Sequence, residues 1–383
     1  MAQEASLFKT YSEKYFSPLV GKITEKVNGM KQEETLLHKT MLVPEYSADL
    51  SWGTTTLNQS VVAADIVSMG SSLPLKKRGS VKSAQGALPK VGLKYKKDEK
   101  DISDIRITAA RTSNEATVVA KIFDQLPLCV KGINVRNEIS FQTGLSTGYA
   151  LIENTEDNDG TGIRVKYGYK DEHIFVASVA WSATATNMTP QDDIQQMFDK
   201  AEEDGNVINH VWISKTYFNL FRKSKQGILL AAQKSQQVIT DSTLLPVPSK
   251  QAFLDALEEE YGAKFHVISS AFKVQKPDGT TKSIRPWKAA NIVGTPDEVV
   301  GRMVYGTLAE EDSPVSGVDY AKSGEYILLS KYSHNEPALE EITAGQALCL
   351  PVIDGAEYFY MLTADKTSAD ADTGTNDDNN ASV

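Results

Sequence analysis

Near its amino terminus the chain places aromatic residues at the spacing of a helix. They recur three or four positions apart, which puts them on one face of an amphipathic helix: Phe8, Tyr11, Tyr15 and Phe16. Pro18 follows, and because proline removes a backbone donor from a helix interior, the helix is predicted to end near it. Residues 1–35 are therefore interpreted as a polar arm that carries one amphipathic helix.

A second helical pattern begins after residue 102. Ser103 with Asp104 offers a cap and an acidic first turn. Apolar residues then recur at helical spacing: Ala116, Val119, Ile122, Phe123 and Leu126. Pro127 suits the first turn of a following helix, predicted to run to about Gly148. Beyond it, Asp159-Gly160 between apolar runs predicts the turn of a β-hairpin.

From residue 189 to 293 the pattern alternates helix with strand. Thr189 and Pro190 open one helix, Ser214 caps another, and Ser249 caps a third that ends at Gly262. Short apolar strands separate them at 210–213 and 265–268, and a hairpin is predicted around Pro277-Asp278-Gly279. Such alternation indicates a compact α/β domain inserted between parts of another domain.

Strand-like patterns return from about residue 318. The clearest are Glu325 to Leu329 and the stretch 347–365, which contains an Asp354-Gly355 turn. The last residues, 366–383, are polar and acidic and contain no large apolar group before Val383. Because such a segment cannot bury enough apolar surface to fold, it is predicted to be a disordered acidic tail.

One segment, 73–101, is a basic island in an acidic protein. The chain of 383 residues has a formal net charge of −10, yet nine Lys or Arg and two acidic residues fall between Lys76 and Lys100. Its Gly and Pro residues, with alternation from Val91 to Tyr95, favour an exposed β-loop. Three interpretations stay open: a solvated charged hairpin, a nucleic-acid contact for which Tyr95 is the one aromatic in the island, or a contact with the acidic body of another copy.

The composition bounds the remaining possibilities. With 41% hydrophobic residues the chain is long enough for about two or three domains. It contains no apolar run of the roughly 18 residues that a membrane helix needs, and its first ten residues do not form a secretory signal. We therefore expect no membrane contact and a cytoplasmic location. Cys129 and Cys349 lie among apolar neighbours and are predicted to be buried and free.

Motifs for catalysis or metal binding find little support. Gly144 to Gly148 has the spacing of a hydrolase nucleophile elbow around Ser146, but a helix is predicted before it and a hairpin after it, the reverse of the required order. Asp157 and Asp159 resemble the start of a calcium loop, whose twelfth position is Gly168 and not the required Glu. The five histidines are dispersed, none with a second His or Cys at chelating spacing. We expect no enzymatic activity, no cofactor and no metal.

The order of these parts resembles a known family. The basic loop 73–101, the helix 104–148, the stretch VWISKTYFNLFRKSKQ at 211–226, NIVGTPDEVVGRMVYG at 291–306 and AGQALCLPVIDGAEYFYMLTAD at 344–365 follow one another as in the major capsid proteins of tailed bacteriophages. The similarity is to the Hong Kong 97-type fold, and more narrowly to the lambda-like major capsid protein E family. It covers most of the chain from about 50 to 365.

The resemblance implies an α+β Hong Kong 97-type fold with defined parts. They are an N-terminal arm (1–50), peripheral domain strands (51–72), an extended β-hairpin loop (73–101), a peripheral domain with spine helix and β-hairpin (102–188), an inserted α/β axial domain (189–317), peripheral closing strands (318–365) and the acidic tail (366–383).

It also implies self-assembly into hexamers and pentamers of an icosahedral head. The extended loop would lie over an adjacent subunit and contact it through eleven residues: Lys76, Lys77, Arg78, Lys82, Lys90, Val91, Leu93, Lys94, Tyr95, Lys96 and Lys97. Further implied partners are a portal protein, scaffold and decoration proteins, and packaged double-stranded DNA that is enclosed without sequence-specific binding. The implied location is the virion capsid, with assembly in the host bacterial cytoplasm.

Three alternatives compete with this hypothesis. An encapsulin-like nanocompartment shell shares the fold but encloses cargo protein. A nucleic-acid-binding protein would use the basic loop 76–100 and bind DNA as a monomer, with an affinity that falls steeply with salt. A hydrolase with Ser146 as nucleophile is the weakest of the three.

Overall fold

The computed structural model describes residues 4–29, 36–58, 80–112, 114–155, 158–185, 187–234, 246–275, 279–335 and 338–365. They form mixed helices and strands, which confirms the α+β class. The chain divides into two compact units. The first comprises Met1–Gly53, Gln85–Phe141 and Gly301–Val352, and the second Thr54–Ala84, Gln142–Val300 and Ile353–Val383.

The described α-helices are α1 Lys9–Gly29, α2 Leu37–Met41, α3 Glu99–Arg111, α4 Glu115–Ile122, α5 Leu126–Thr147, α6 Pro190–Glu203, α7 Lys215–Lys223, α8 Lys225–Lys234, α9 Lys250–Tyr261 and α10 Ala309–Asp312. The described strands are β1 Leu42–Tyr46, β2 Ser51–Asn58, β3 Ser80–Ala87, β4 Lys90–Lys97, β5 Tyr149–Thr155, β6 Asn158–Lys166, β7 Ile174–Val176, β8 His210–Ser214, β9 Lys264–Ile268, β10 Phe272–Gln275, β11 Thr281–Ile284, β12 Asn291–Thr295, β13 Gly301–Gly306, β14 Asp319–Ser323, β15 Ile327–His334, β16 Glu340–Ile353 and β17 Tyr360–Thr363.

The first unit is built on a six-stranded sheet. Its order is β1-β13-β16-β15-β14, and β4 also pairs with β16. Strand β1 runs parallel to β13, whereas the pairs β14–β15, β15–β16 and β16–β4 are antiparallel. Helix α1 packs beside β14. This sheet therefore joins two strands from the first part of the chain, β1 and β4, to four strands from its last part.

The amino-terminal helix is longer than predicted. Pro18 lies inside α1, which continues to Gly29, so the predicted end at Pro18 is wrong. Phe16 and Val20 are buried on either side of the proline, while Pro18 itself faces solvent. Burial of these two side chains holds the helix in place although the proline removes one backbone hydrogen bond.

The helical region after the basic segment contains three helices. The first, α3, begins at Glu99, where the Asp98 side chain accepts a hydrogen bond from the Asp101 N–H, so the predicted cap at Ser103 and Asp104 is wrong. A break follows, and Asn114 caps α4. The prediction of a second helix with Pro127 in its first turn is confirmed by α5, which has 22 residues.

The second unit contains a five-stranded sheet covered by helices. Its order is β7-β17-β12-β8-β9, with β8 parallel to β9 and β12 antiparallel to its two neighbours. Side chains from α6, α7, α8 and α9 form one apolar cluster with Val211 and Ile213 of β8, Ile292 of β12 and Leu362 of β17. The unit is therefore an α/β layer with its core between helices and sheet.

Local signals predicted this unit well. The Ser214 and Ser249 side chains accept hydrogen bonds from the N–H groups of Tyr217 and Ala252 and so cap α7 and α9. Gly262 ends α9 with a φ of 63°, a conformation that glycine adopts without strain. The antiparallel pair β10–β11 confirms the hairpin around residue 278, although Pro277 and Asp278 lie outside the described residues.

The turn between β5 and β6 differs from its prediction, and the two units have their own boundaries along the chain. Strands β5 and β6 form the predicted hairpin, but the pairing of Thr155 with Asn158 closes it before Asp159-Gly160, which belong to β6. Strand β13 lies in the first unit, and the stretch of the second unit that begins at Gln142 ends at Val300. Strand β17 also belongs to the second unit. The correspondence of the two units to the predicted axial and peripheral domains stays a prediction. The acidic tail, 366–383, lies outside the described residues.

Candidate assembly surface

Strand β4 contains most of the described residues that were predicted to contact another subunit. It pairs antiparallel with β16 over eight residue pairs, from Lys90 opposite Leu348 to Lys97 opposite Glu341. The prediction that 73–101 forms one exposed hairpin is therefore wrong. Strand β3 pairs with β2 instead, so the connection between β2 and β3 contains residues 59–79. The alternating pattern predicted correctly that residues 91–95 form a strand. It did not predict the partner of that strand, because pairing depends on distant residues.

The alternation along β4 divides its side chains between two faces. Val91, Leu93 and Tyr95 are partly buried, whereas Lys90, Lys94 and Lys96 are exposed. Burial raises the pKa of Tyr95 above its ordinary value. These three residues are therefore partly packed within their own subunit, and their contact with a neighbouring subunit stays a prediction.

A glycine in α5 lets the helix approach β4 closely. A Cβ at Gly132 would lie 2.8 Å from Cδ1 of Leu93, which is too close for an unshifted side chain. On β16, a Cβ at Gly345 would lie 2.9 Å from Cβ of Cys129. Small residues on both elements thus permit close packing of helix on sheet.

Three lysines of the predicted loop pair with acids of their own chain. Lys90 lies 3.1 Å from Glu310, and Lys96 lies 2.7 Å from Glu340. Lys97, which is only 5% exposed, pairs at 2.6 Å with Asp124. Lys97 lies on the same face of β4 as Tyr95, and its buried side chain ends at the exposed carboxylate of Asp124. These three charges are already partly compensated before any second molecule binds.

The other basic residues of the segment have no such ion pair among the described residues, or have side chains that lie outside them. Lys94 is exposed, and within the described residues no acid lies within ion-pair distance of it. Lys82 lies in β3, and Lys76, Lys77 and Arg78 lie outside the described residues. The eleven predicted contact residues therefore fall into a β4 group and a group that lies in β3 and in the connection before it.

Sequence analysis missed a buried ion pair beside this strand. Lys331 of β15 and Glu341 of β16 are 0% and 1% exposed, and their charged atoms lie 3.2 Å apart. Burial lowers the pKa of Lys331, and the Glu341 carboxylate opposes that shift. A lysine in a strand gives no sequence signal of burial, because lysines are almost always exposed.

Glu341 also holds the amino-terminal segment on the sheet. Its carboxylate accepts a hydrogen bond from the Ser6 hydroxyl and another, of 3.0 Å, from the Leu7 N–H. Glu4 forms an isolated antiparallel bridge with Ser333 of β15. Residues 4–7, predicted as part of a polar arm, are therefore bound to the first sheet within one subunit.

A second buried pair anchors the chain ahead of β1. The Glu138 carboxylate of α5 accepts hydrogen bonds of 2.9 Å from the N–H groups of Leu37 and His38, and lies 2.6 Å from His38 Nδ1. One carboxylate thus accepts hydrogen bonds from two N–H groups at the start of α2, where the helix itself provides no acceptor.

The motifs for catalysis and metal binding have structural explanations. Ser146 is buried in α5, where its hydroxyl donates to the Thr143 carbonyl and accepts from the Lys288 N–H. Both cysteines are buried and free, and burial raises the pKa of each thiol to about 12. Among the described side chains, no group of three or more His, Cys, Asp and Glu could hold a metal ion. Asp157 lies outside those residues.

One grouping contradicts the expectation for the histidines. His210 and His266, predicted to be isolated, meet on neighbouring strands with ring nitrogens 2.9 Å apart. The parallel pairing of β8 with β9 creates this contact, and spacing within the sequence gives no sign of it. None of the described helices is both long and apolar enough to cross a membrane.

Comparison with known proteins places these features in context. A family model described as phage major capsid protein E matches residues 20–323. A capsid protein attributed to a prophage of Escherichia coli CFT073 has a similar structure, with 13% identity, coverage of 86% of this chain and 92% of that chain, and a TM-score of 0.50. No curated protein matches the sequence.

Two further solved structures are more distant in shape. A phage-related protein from Bordetella bronchiseptica RB50 is 11% identical, covers 95% of this chain and 98% of that chain, and has a TM-score of 0.49. The capsid of Myoviridae phage XM1 is 11% identical, with coverage of 86% and 92% and a TM-score of 0.46.

Proposed function

The chain belongs to the phage major capsid protein E family, and on this premise we propose how its copies meet in the shell. It is a major capsid protein of a tailed phage with the Hong Kong 97-type fold, and its copies assemble into the capsomers of the head. Its location is therefore the virion capsid, and its family role is structural.

We propose that the basic segment is the charged contact between neighbouring subunits. Removing its net charge of +7 from the chain's −10 leaves −17 on the remainder, so the segment and the body of another copy attract each other. This opposition of charge within one sequence is the observation that carries the proposal. Each exposed pair contributes only about 0–1 kcal/mol, but a closed shell repeats the contact many times.

The contacts of β4 narrow the residues involved. Lys90, Lys96 and Lys97 have acidic partners in their own chain, so they support the base of the segment. The proposed intermolecular contacts then rest on Lys94 and on the four basic residues between β2 and β4: Lys76, Lys77, Arg78 and Lys82. These charges would lie against acidic surface of an adjacent subunit in the same capsomer.

The experiment replaces Lys76, Lys77 and Arg78 together by Gln in the full chain. Negative-stain electron microscopy and light scattering at physiological salt should show fewer capsomers and shells than the unchanged protein forms. A matched control replaces three exposed lysines outside the segment, Lys131, Lys223 and Lys250, by Gln. If both variants assemble equally, the segment has no special role. A clean monomer of the unchanged chain that binds DNA would favour the nucleic-acid alternative.

We further propose the finer roles that the family implies. The first unit corresponds to the peripheral domain and the second to the axial domain, which would meet its copies at the capsomer centre. Hexamers and pentamers would close into a shell in the host bacterial cytoplasm, with a portal protein and with scaffold or decoration proteins as partners. The protein would act without enzymatic chemistry.

The packaged DNA would contact the capsid wall without binding tightly to it. A net charge of −10 repels double-stranded DNA, so the wall would not stall packaging. Nuclease treatment of particles from infected cells tests this: protected genome-length DNA supports a phage head, whereas protected protein cargo without DNA supports the nanocompartment alternative.

A further inference from the structure

Two histidines far apart in the sequence meet on the sheet of the second unit. His210 is the first residue of β8, and His266 lies in the middle of β9, its parallel neighbour. Nδ1 of His210 lies 2.9 Å from Nε2 of His266, and both rings are partly buried. Trp212, opposite His266 in the pairing, stacks on that imidazole with ring centroids 4.0 Å apart and planes 13° from parallel.

The orientation of the rings distinguishes a shared proton from a metal chelate. The two imidazole centroids are 5.2 Å apart with planes inclined by 26°. The distance between the centroids is about the N···N distance plus one ring radius at each end. Both facing nitrogens therefore lie close to the line that joins the centroids. A metal bound by both nitrogens would sit off that line, since its ligands are separated by about 90–110°. The rings therefore face each other as in an N–H···N hydrogen bond.

Valence limits how many protons this arrangement tolerates. A neutral imidazole has one N–H and one nitrogen lone pair, so two neutral rings can share one bridging proton. A single additional proton can bind an outward nitrogen and leave the bridge intact. A second additional proton would place N–H groups on both facing nitrogens, only 2.9 Å apart, and the bridge must break.

We infer that the His210–His266 pair is an acid-sensitive latch between β8 and β9, closed with up to one additional proton and opened by the second. Among the described strands, β9 is the outer one of its sheet and pairs there with β8 alone. Opening the latch would therefore loosen the sheet at its edge first. The inference concerns a device inside the second unit and stands independently of the proposed subunit contact.

The surrounding groups set the pH at which the latch opens. Burial, and after it the neighbouring His210 and Lys264, lower the pKa of His266 to about 4, while Glu298 opposes them. The ordinary value of about 6.5 applies to the unfolded chain. Because the folded pKa is depressed, the stability from the neutral ring is complete above about pH 6.5 and is lost as the pH falls towards 4.

The test follows the histidines of the full chain by NMR. With ¹⁵N-histidine label, two-bond ¹H–¹⁵N correlation spectra between pH 8 and pH 4 report each ring's tautomer and protonation, and single His→Gln variants assign the five rings. We expect His266 to stay neutral until about pH 4. Fluorescence of Trp212, identified by Trp212→Phe, should change with the same midpoint, because its ring stacks on the titrating imidazole.

One variant separates a proton-sharing pair from two rings that only pack. In His210→Gln the repelling neighbour is gone, so the midpoint of His266 should rise by about one unit. The control His334→Gln alters a ring that pairs with Glu340 in the first unit and should leave the midpoint unchanged. An unchanged midpoint in His210→Gln would overturn the inference.

The unchanged protein alone also provides a decisive measurement if the variants do not fold. A shared proton couples the tautomers of the two rings at neutral pH: both rings are Nδ1–H or both are Nε2–H, so that one facing nitrogen donates and the other accepts. Nitrogen shifts that show opposite tautomers in the two rings, or titration of His266 near pH 6.5, would contradict the latch.

Discussion

The two units of this capsid protein use different cores. In the first, polar side chains pair while fully buried: Lys331 of β15 with Glu341 of β16, and His38 of α2 with Glu138 of α5. In the second, apolar side chains from four helices fill the space against the sheet, and Asp193 is held by the N–H and hydroxyl of Ser178 and by the Trp181 indole N–H at 2.7–2.9 Å.

This difference predicts different weaknesses. Burying an ion pair costs solvation free energy that only the intact pair offsets, so loss of one partner is expensive. An apolar core responds instead to lost volume. The first unit should therefore be sensitive to neutralising a charge, and the second to truncating a side chain.

The largest effect should come from emptying the apolar core. Phe253 of α9 is fully buried and packs edge-on against Phe221, with ring centroids 5.0 Å apart. Phe253→Ala should lower the free energy of unfolding of the second unit by about 3–5 kcal/mol, measured by chemical denaturation. The control Val247→Ala changes a side chain that is 46% exposed and should alter it by less than about 0.5 kcal/mol. Equal effects would mean that α9 does not contribute to the core.

Breaking the charged core should cost nearly as much. Glu341→Gln leaves Lys331 buried without its counter-charge and should destabilise the first unit by about 3 kcal/mol. Because Glu341 also holds Ser6 and Leu7, trypsin should cleave faster after Lys9. Adding Lys331→Met should restore part of the lost stability. No recovery in the double variant would show that the damage does not come from the unpaired amine.

A smaller effect tests the close approach of α5 to β4. Gly132→Ala introduces a methyl group 2.8 Å from Leu93 Cδ1 and should destabilise by about 1–2 kcal/mol. In a Leu93→Ala background the same substitution should stabilise by up to about 1 kcal/mol, since alanine favours helix over glycine. The two denaturation series form a double-mutant cycle. Additive changes would indicate that helix and strand are not in contact.

The smallest effect concerns a helix end of the second unit. Ser249→Ala removes the side chain that caps α9 and should cost about 1 kcal/mol. Ser249→Asp keeps an acceptor at that position and should restore most of the loss. The melting temperature of both variants provides the comparison, and an identical decrease in both would argue against capping.

Much of the second unit could be predicted from local sequence. The caps at Ser214 and Ser249 and the stop at Gly262 act through residues within three or four positions, so they can be recognised without knowing the fold. Where packing against distant residues determines the end of a helix, as in α1, the local signal of Pro18 predicted the wrong end. The assignment of β17 to the second sheet likewise depends on pairing with β12, about 70 residues away.

The candidate contact surface was only half predictable. The excess of lysine was visible in the sequence, but the acids that pair with Lys90 and Lys96 lie 220 and 244 positions away. No periodicity links such positions. The burial of Lys331 and the contact between His210 and His266 could not be predicted from the sequence either. Both depend on the pairing of strands.

The attachment of residues 4–7 to β15 and β16 also has a consequence for synthesis. Ser6 and Glu341 are separated by 335 positions, and a ribosome adding about 5–20 residues per second needs roughly 17–67 s to cover them. During that interval the first sheet lacks β15 and β16, and β4 has no strand to pair with. A nascent chain therefore cannot complete the sheet that supports its basic segment. Translation itself would delay polymerisation until nearly the whole subunit has emerged.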